Sequence, residues 1–328
     1  MGYNREDYVR IKAQYSEKYM MARERAEERR FELYARIPEV KDIDSVLAGT
    51  GSEIMAIITA GKENVEEKVT SLKERNDSLL RRRAELLVAN GYSADYSDVH
   101  YECDKCGDTG YVGTKMCECM KKALVLAGYE SSGLGGLIRT QSFENFSLDY
   151  YKNGVDGSVN YENMNNFVNA LKKFAESFDS ETYKNHLLFG PTGLGKTHLS
   201  TAVAKTVIAR GYDVLYVGAL GMIGDFEARR FGTGAGDGSQ RATERYYNAD
   251  LLIIDDLGTE VANQFTVSCL YDVINSRINN RKSTFINTNL TKKELESKYA
   301  ERITSRIFGE YYPVPFRGTD IRKQKVRY

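Results

Sequence analysis

Gly190-Pro191-Thr192-Gly193-Leu194-Gly195-Lys196-Thr197 follows the apolar run His186-Leu-Leu-Phe189 and precedes helix-compatible sequence. It matches G-x-x-x-x-G-K-[ST] in the strand–loop–helix setting that a phosphate-binding loop requires. The glycines let backbone N–H groups turn inward around a polyphosphate, and the emerging helix points its positive end at the same anion. Lys196 would pair with the β- and γ-phosphates, and the Thr197 hydroxyl would hold Mg2+. The stretch predicts binding of ATP or GTP.

A second motif lies downstream. Leu251-Leu-Ile-Ile-Asp255-Asp256 is a short apolar run ending in two carboxylates, as expected of a strand buried on both faces of a parallel sheet. Its carboxyl end is where open α/β sheets bind ligands. Asp255 would enter the Mg2+ shell, and Asp256 is the candidate for polarising an attacking water. The two motifs together imply a nucleoside triphosphatase.

The alternation of strand and helix continues around them. Val214-Leu-Tyr-Val217 reads as one strand and Ser283-Thr-Phe-Ile-Asn-Thr-Asn289 as another, with Asn289 placed to orient water beside a γ-phosphate. Tyr299 to Phe308 reads as a helix carrying Arg302 and Arg306 one turn apart. An arginine projecting from one subunit can stabilise charge at the nucleotide of the next, although Arg-x-x-x-Arg also describes a solvated helix face.

Four of the five cysteines cluster as Cys103-x-x-Cys106 and Cys117-x-Cys119. In a reducing compartment this spacing suits zinc better than disulfides, and the turn-rich Gly107-to-Gly113 stretch lets the two pairs converge on one tetrahedral ion. A redox dithiol pair and unligated thiols are the alternatives. Cys269, alone in an apolar helical pattern, reads as a core residue. Before the cysteines, residues 5 to 36 read as a charged helix interrupted by Pro38, and a further helix is expected from about Lys62 to Ala89. Its stripe of Val65, Val69, Leu72, Asn76, Leu79, Arg83 and Leu86 would make either a partner-docking surface or packing inside a helical hairpin. Ser131 to Gly136 reads as a flexible hinge. The aromatic segment from Arg139 to Tyr151 that follows would cover an adenine base or form a plain domain edge.

The 328 residues suggest two domains, and 41% hydrophobic content suffices for packed cores. Forty-six basic residues balance forty-six acidic ones, so any DNA contact must come from local patches. No apolar run reaches the roughly 18 residues of a membrane span, and the N-terminus lacks a signal-peptide core, so the expected location is cytoplasmic, with no membrane partner.

The order of motifs resembles the AAA+ ATPases and, within them, the bacterial replicative helicase loaders, whose relatives include the initiator ATPase and the transposition-helper ATPases. The residues that carry the resemblance are the phosphate loop through His198, Ile254-Asp-Asp-Leu-Gly-Thr-Glu260, Ile286-Asn-Thr-Asn289-Leu, Glu301-Arg-Ile-Thr-Ser-Arg306 and Phe143-x-x-Phe146. A helical N-terminal domain with a cysteine cluster is similar to loaders of Gram-positive bacteria and their phages. The resemblance covers residues 100 to 328 by motif and residues 1 to 99 by character.

The resemblance implies an α/β fold: an AAA+ P-loop core with a parallel sheet flanked by helices, plus a mainly helical N-terminal domain bearing a zinc cluster. Residues 1 to 130 would grip the helicase, 131 to 150 would be linker and aromatic segment, and 151 to 328 the ATPase domain without a full lid. Arg306 would act in trans as arginine finger, Asn289 as sensor 1 and Arg322 as a second sensor. His198 would join the nucleotide-binding residues. Many AAA+ proteins have Glu where Asp256 stands, so Glu260 or a water relay would assist it. The segment Gly221 to Gly236, with Arg229 and Arg230 between Phe226 and Phe231, falls where this clade holds single-stranded DNA. Arg317, Arg322, Lys323, Lys325 and Arg327 add a basic tail. The implied function is ATP-dependent loading of the replicative hexameric helicase onto single-stranded DNA, with self-association through the ATPase domain and ATP, Mg2+ and Zn2+ as cofactors. A transposition-helper ATPase and a nucleotide-gated adaptor with little hydrolysis are the alternatives.

Overall fold

A computed structural model describes residues 3–59, 65–152, 156–179, 181–232 and 237–325. The chain forms two compact units, one of Lys12–Cys119 and one of Met1–Ile11 with Met120–Tyr328.

The first unit is built from three helices and a small hairpin: most of α1 (Arg5–Arg36), α2 (Pro38–Thr59), α3 (Val65–Ala89), β1 (Tyr111–Val112) and β2 (Lys115–Met116). Tyr15, Ala22, Ala26 and Leu33 recur at helical spacing and form the buried stripe of α1. Proline is tolerated at the first helical position because its missing N–H would lack a partner there, so Pro38 ends one helix and opens the next. The stripe on α3 is internal packing against α2. Its two polar members meet polar partners, with Asn76 Nδ2 donating to Thr50 Oγ1 at 3.0 Å and Arg83 Nε to Asp44 Oδ1 at 2.7 Å. The start expected near Lys62 lies outside the described residues.

The second unit continues with α4 (Glu118–Ser131), α5 (Leu137–Thr140), a 3-10 turn at Asp149–Lys152, α6 (Gly157–Ser177), β3 (Asn185–Phe189), α7 (Lys196–Ala209), β4 (Val214–Gly218), α8 (Ala219–Phe231), α9 (Asp237–Asn248), β5 (Leu251–Leu257), α10 (Gln264–Asn279), β6 (Ser283–Thr288), α11 (Lys292–Lys298), α12 (Glu301–Glu310), β7 (Tyr311–Pro315) and α13 (Ile321–Lys325). The strands form one parallel sheet in the order β4-β5-β6-β3-β7, the expected AAA+ core. Strand residues alternate between faces. Leu188, Tyr216, Ile253 and Phe285 face the core that α6 and α7 cover, whereas Leu187, Leu215, Leu252 and Ile286 face the core under α8, α10 and α12.

Two findings depart from expectation. β7, for which the sequence reading holds no expectation, is a fifth strand despite Pro313 and Pro315, because it lies at the sheet edge and, among the described residues, pairs only with β3. The Ser131–Gly136 segment is anchored, not a free hinge: Ser132 and Leu134 are buried, and the Ser132 carbonyl accepts from the Tyr216 N–H at 2.7 Å.

Candidate functional site

β3 delivers the chain to the phosphate loop, and α7 begins at Lys196. Gly190 has φ +136°, and a Cβ there would stand 2.2 Å from the Phe316 carbonyl oxygen; Gly195 caps α7 at φ +90°, with the Phe146 ring 3.0 Å from where a Cβ would be. Larger residues would push both neighbours off the loop. The loop is braced from outside, because Tyr151 donates its hydroxyl to the Leu194 carbonyl and Ile321 its N–H to Gly193 at 3.0 Å. Lys196 Nζ donates to the carbonyls of Gly190 and Pro191 at 2.6 and 2.8 Å. Burial is the main reason its pKa falls to about 8.

Alternation along β5 and β6 brings the acid motif to α7. Asp255 is buried and held from four sides: Asn287 Nδ2 and the Asp256 N–H donate to Oδ1 at 2.8 and 3.0 Å, while Thr197 Oγ1 at 3.0 Å and the Tyr216 hydroxyl donate to Oδ2. Thr197 and Asp255, the two residues expected at Mg2+, therefore meet. Asp256 is exposed and left-handed at φ +52°, and it accepts from Asn289 Nδ2 at 3.4 Å. Partial desolvation by the surrounding site first, and the Asp255 charge second, push its carboxyl above the usual range.

Lys196, Thr197, Asp256 and Asn289 open onto a cavity of about 460 Å3, whereas Asp255 lies behind its wall. Thr192 to His198, Asp256, Thr259, Asn289 and Arg322 supply its polar lining, and Leu137, Phe146, Tyr150 and Ile321 its apolar lining. The aromatic segment is thus part of the cavity wall. His198 bonds it through Nε2 to the Ser142 carbonyl at 2.9 Å and to Asn145 Oδ1 at 2.8 Å. Gln141 also lines the cavity, and its buried Oε1 has no partner.

Other expected residues lie apart from the cavity. Glu260 is buried, with one carboxylate oxygen accepting from the Gly258 N–H at 2.9 Å and the other from the Tyr299 hydroxyl. Both oxygens are engaged in holding the loop, so the side chain is not presented to water at the site. Arg306 is half-buried on α12, stacked 4.8 Å from the Tyr271 ring centre, with Nε donating to Asn275 Oδ1 at 2.8 Å. It does not line the cavity of its own chain.

On α8, Arg229 and Arg230 are exposed, and Phe231 retains 68% exposure. Arg230 lies 5.2 Å from the rings of both Phe231 and Phe265. Phe226 is no stacking face, because it is buried against Tyr246. The expected segment's residues 233–236, Arg327 and the side chain of Lys325 lie outside the described residues.

In the other unit, the sulfurs of Cys103, Cys106, Cys117 and Cys119 all fall within 4.8 Å of one another, with 3.9 Å between Cys103 and Cys117 and 3.6 Å between Cys106 and Cys119. A tetrahedral zinc with Zn–S bonds of about 2.3 Å separates its sulfurs by about 3.8 Å, so the donor set fits that ion. Buried Asp108 shapes the first pair by accepting from the N–H groups of Glu102 and Cys103, each at 2.8 Å.

Residues 161–325 match the family model described as IstB-like ATP binding protein. The chain belongs to this family. Among its relatives, the replicative helicase loader DnaC of Buchnera aphidicola subsp. Acyrthosiphon pisum is 25% identical over 168 residues, which cover 50% of this chain and 64% of the relative. A putative insertion sequence ATP-binding protein of Sinorhizobium fredii is 32% identical over 105 residues, 32% of this chain and 34% of that protein. A solved DnaC helicase loader superposes with a TM-score of 0.46 at 22% identity, covering 56% of this chain and 100% of that one. The cysteine-bearing unit lies outside the matched family region, residues 161–325. No helix among the described residues of this IstB-like chain is long and apolar enough to cross a membrane.

Tyr216 and Asn287 were missed as site residues in the sequence, and Tyr151, read only as part of the Arg139-to-Tyr151 segment, braces the loop through the Leu194 carbonyl. Asn287 carried a usable signal: it stands on β6 two positions before Asn289, and alternation points it toward the helix that follows the phosphate loop. Tyr216 had none, because nothing in its own strand marks the residue beside Asp255.

Proposed function

We propose that this IstB-like chain is an ATP-dependent loader of a hexameric replicative DNA helicase onto single-stranded DNA. The observation that supports it most is the alignment of half of its length with a protein named replicative helicase loader, in a chain that also carries a four-thiol module. ATP would lie with its phosphates along Gly190 to Thr197 and its base toward Phe146 and Ile321. Lys196 would neutralise the β- and γ-phosphates, exchanging its loop carbonyls for phosphate oxygens. Thr197 and Asp255 would hold Mg2+, which when bound offsets charge developing on the transferred phosphoryl group. Asp256 would accept the proton of the attacking water, which Asn289 orients. Arg306 of a neighbouring copy would complete the site, and Arg322 would sense the phosphates. Cys103, Cys106, Cys117 and Cys119 would hold Zn2+ as a structural ion, since four thiolates leave no open position. The unit that contains them would grip the helicase, while Arg229, Arg230 and Phe231 would hold single-stranded DNA without base specificity.

The likeness to an insertion sequence ATP-binding protein supports a second reading, a transposition helper that serves a transposase with the same chemistry. Helicase-driven unwinding of a forked template on closed circular single strands separates the two. The loader reading expects unwinding only when the chain and ATP are both present. Unwinding that is indifferent to the chain, with stimulation of a transposase instead, would establish the second.

A further inference from the structure

Tyr216 belongs to neither nucleotide motif, yet it meets the site through both its side chain and its backbone. Its hydroxyl donates to Asp255 Oδ2, the oxygen that also accepts from Thr197. Its N–H donates to the Ser132 carbonyl at 2.7 Å. Because β4 is an edge strand, that bond occupies the side of β4 that no other strand covers. The next residue of the strap, Gly133, has φ +83°, and a Cβ there would stand 2.3 Å from the Tyr216 carbonyl oxygen. Ser132 is itself pinned: its Oγ donates to the Tyr129 carbonyl at 2.9 Å and accepts from the Leu134 N–H at 3.3 Å. The strap therefore has one position, and so does the tyrosine behind it.

The consequence falls on Asp255. A carboxylate that binds a metal must offer its lone pairs in a set direction, and the groups that hydrogen-bond to it set that direction. Asn287 and the Asp256 backbone fix one oxygen, leaving Tyr216 and Thr197 to fix the other. With Mg2+ held by Thr197, the tyrosine would be the remaining side-chain donor to Oδ2.

We propose that Tyr216 is a positioning residue for the magnesium-binding carboxylate, and that the Ser132–Gly133 strap sets Tyr216, so that metal affinity at the nucleotide site responds to a segment far from it in sequence. This rests on Asp255 being a magnesium ligand, as proposed above.

The test uses the full chain and two readouts. Mn2+ binding to the chain loaded with a non-hydrolysable ATP analogue, followed by electron paramagnetic resonance, needs no turnover; Mg2+ titration of ATP hydrolysis follows the working site. Tyr216→Phe keeps the ring and removes the hydroxyl, and is expected to weaken Mn2+ binding and raise the half-saturating Mg2+ by about tenfold, the scale of a lost outer-shell partner. Excess Mg2+ should restore turnover, which a damaged fold would not allow. Gly133→Ala should move both readouts in the same direction, and combining it with Tyr216→Phe should add little. Where Gly133→Ala fails to fold, Ser132→Ala, which unpins the strap, is read in its place. Unchanged Mn2+ affinity in Tyr216→Phe would overturn the positioning role. A folded strap variant with wild-type metal affinity would overturn the role of the strap. If the wild type binds no Mn2+ with nucleotide present, the ligand role of Asp255 itself fails and this proposal falls with it. Metal binding without hydrolysis would contradict only the ATPase reading and leave the role of Tyr216 measurable.

Discussion

Burial is what holds the Lys196 ammonium down to about 8 from its ordinary 10.5, with Arg322 adding repulsion and Asp256 and Asp255 opposing it. Only the protonated form pairs with phosphate, so nucleotide affinity should be full below pH 8 and fall as pH rises through that value. Binding near pH 8 should also take up a proton. Titration with a fluorescent ATP analogue between pH 7 and 9.5 checks this, and a flat profile would show that the lysine is charged throughout. Glu260 and Asp256 make a paired prediction at the same scale. Glu260→Ala leaves the Gly258 N–H and the buried Tyr299 hydroxyl without their acceptor and should cost about 1–3 kcal/mol of stability while the folded protein keeps its turnover. Asp256→Asn should keep the fold and lose turnover. Thermal melts beside steady-state ATPase rates check the pair, and the opposite pattern would return Glu260 to the chemistry. The phosphate loop and Asp255 were legible in the sequence because their spacing is dictated by the ligand. The engagement of Glu260 with Tyr299 was not, since it joins residues that only the fold brings together.

At the level of elements, the four-thiol module and α12 make separable predictions. The chain should bind one zinc ion per copy. Chelation, or Cys106→Ala, should unfold the hairpin around β1 and β2 while the sheet unit persists on its own cores. Metal analysis with hydrogen exchange of both units would check this; exchange unchanged on chelation would mean that zinc does not hold the module. Arg306→Ala should retain nucleotide binding and lose about 10^3-fold in turnover. Mixing it with Lys196→Ala should restore part of the rate, because some sites then pair an intact lysine with an intact arginine from a neighbour. No recovery on mixing would place Arg306 outside the site in trans. Of the elements themselves, α1, α3 and the strands β3 to β6 could be read from the sequence. β7 could not, because its two prolines argue against a strand everywhere except at an edge with one neighbour, and edge status is a property of the finished sheet. The α3 stripe was ambiguous for a similar reason, since its polar members look like a docking surface until Thr50 and Asp44 of α2 are placed opposite them.

For the whole molecule, the nucleotide unit carries the family membership, and the choice of cargo is proposed for the cysteine-bearing unit. The first was readable because an AAA+ core repeats its motifs in a fixed order. The second was readable only by its composition, since a helical surface that grips a partner has no fixed residue spacing. The decisive measurement is association of the full, zinc-loaded chain with the hexameric replicative helicase encoded by the same genome, followed by size-exclusion chromatography with light scattering in ATP and Mg2+. A loader should co-elute with the hexamer as a defined complex, and Cys106→Ala should abolish it while leaving nucleotide binding intact. A zinc-loaded chain that binds ATP but never joins the helicase would contradict the assignment.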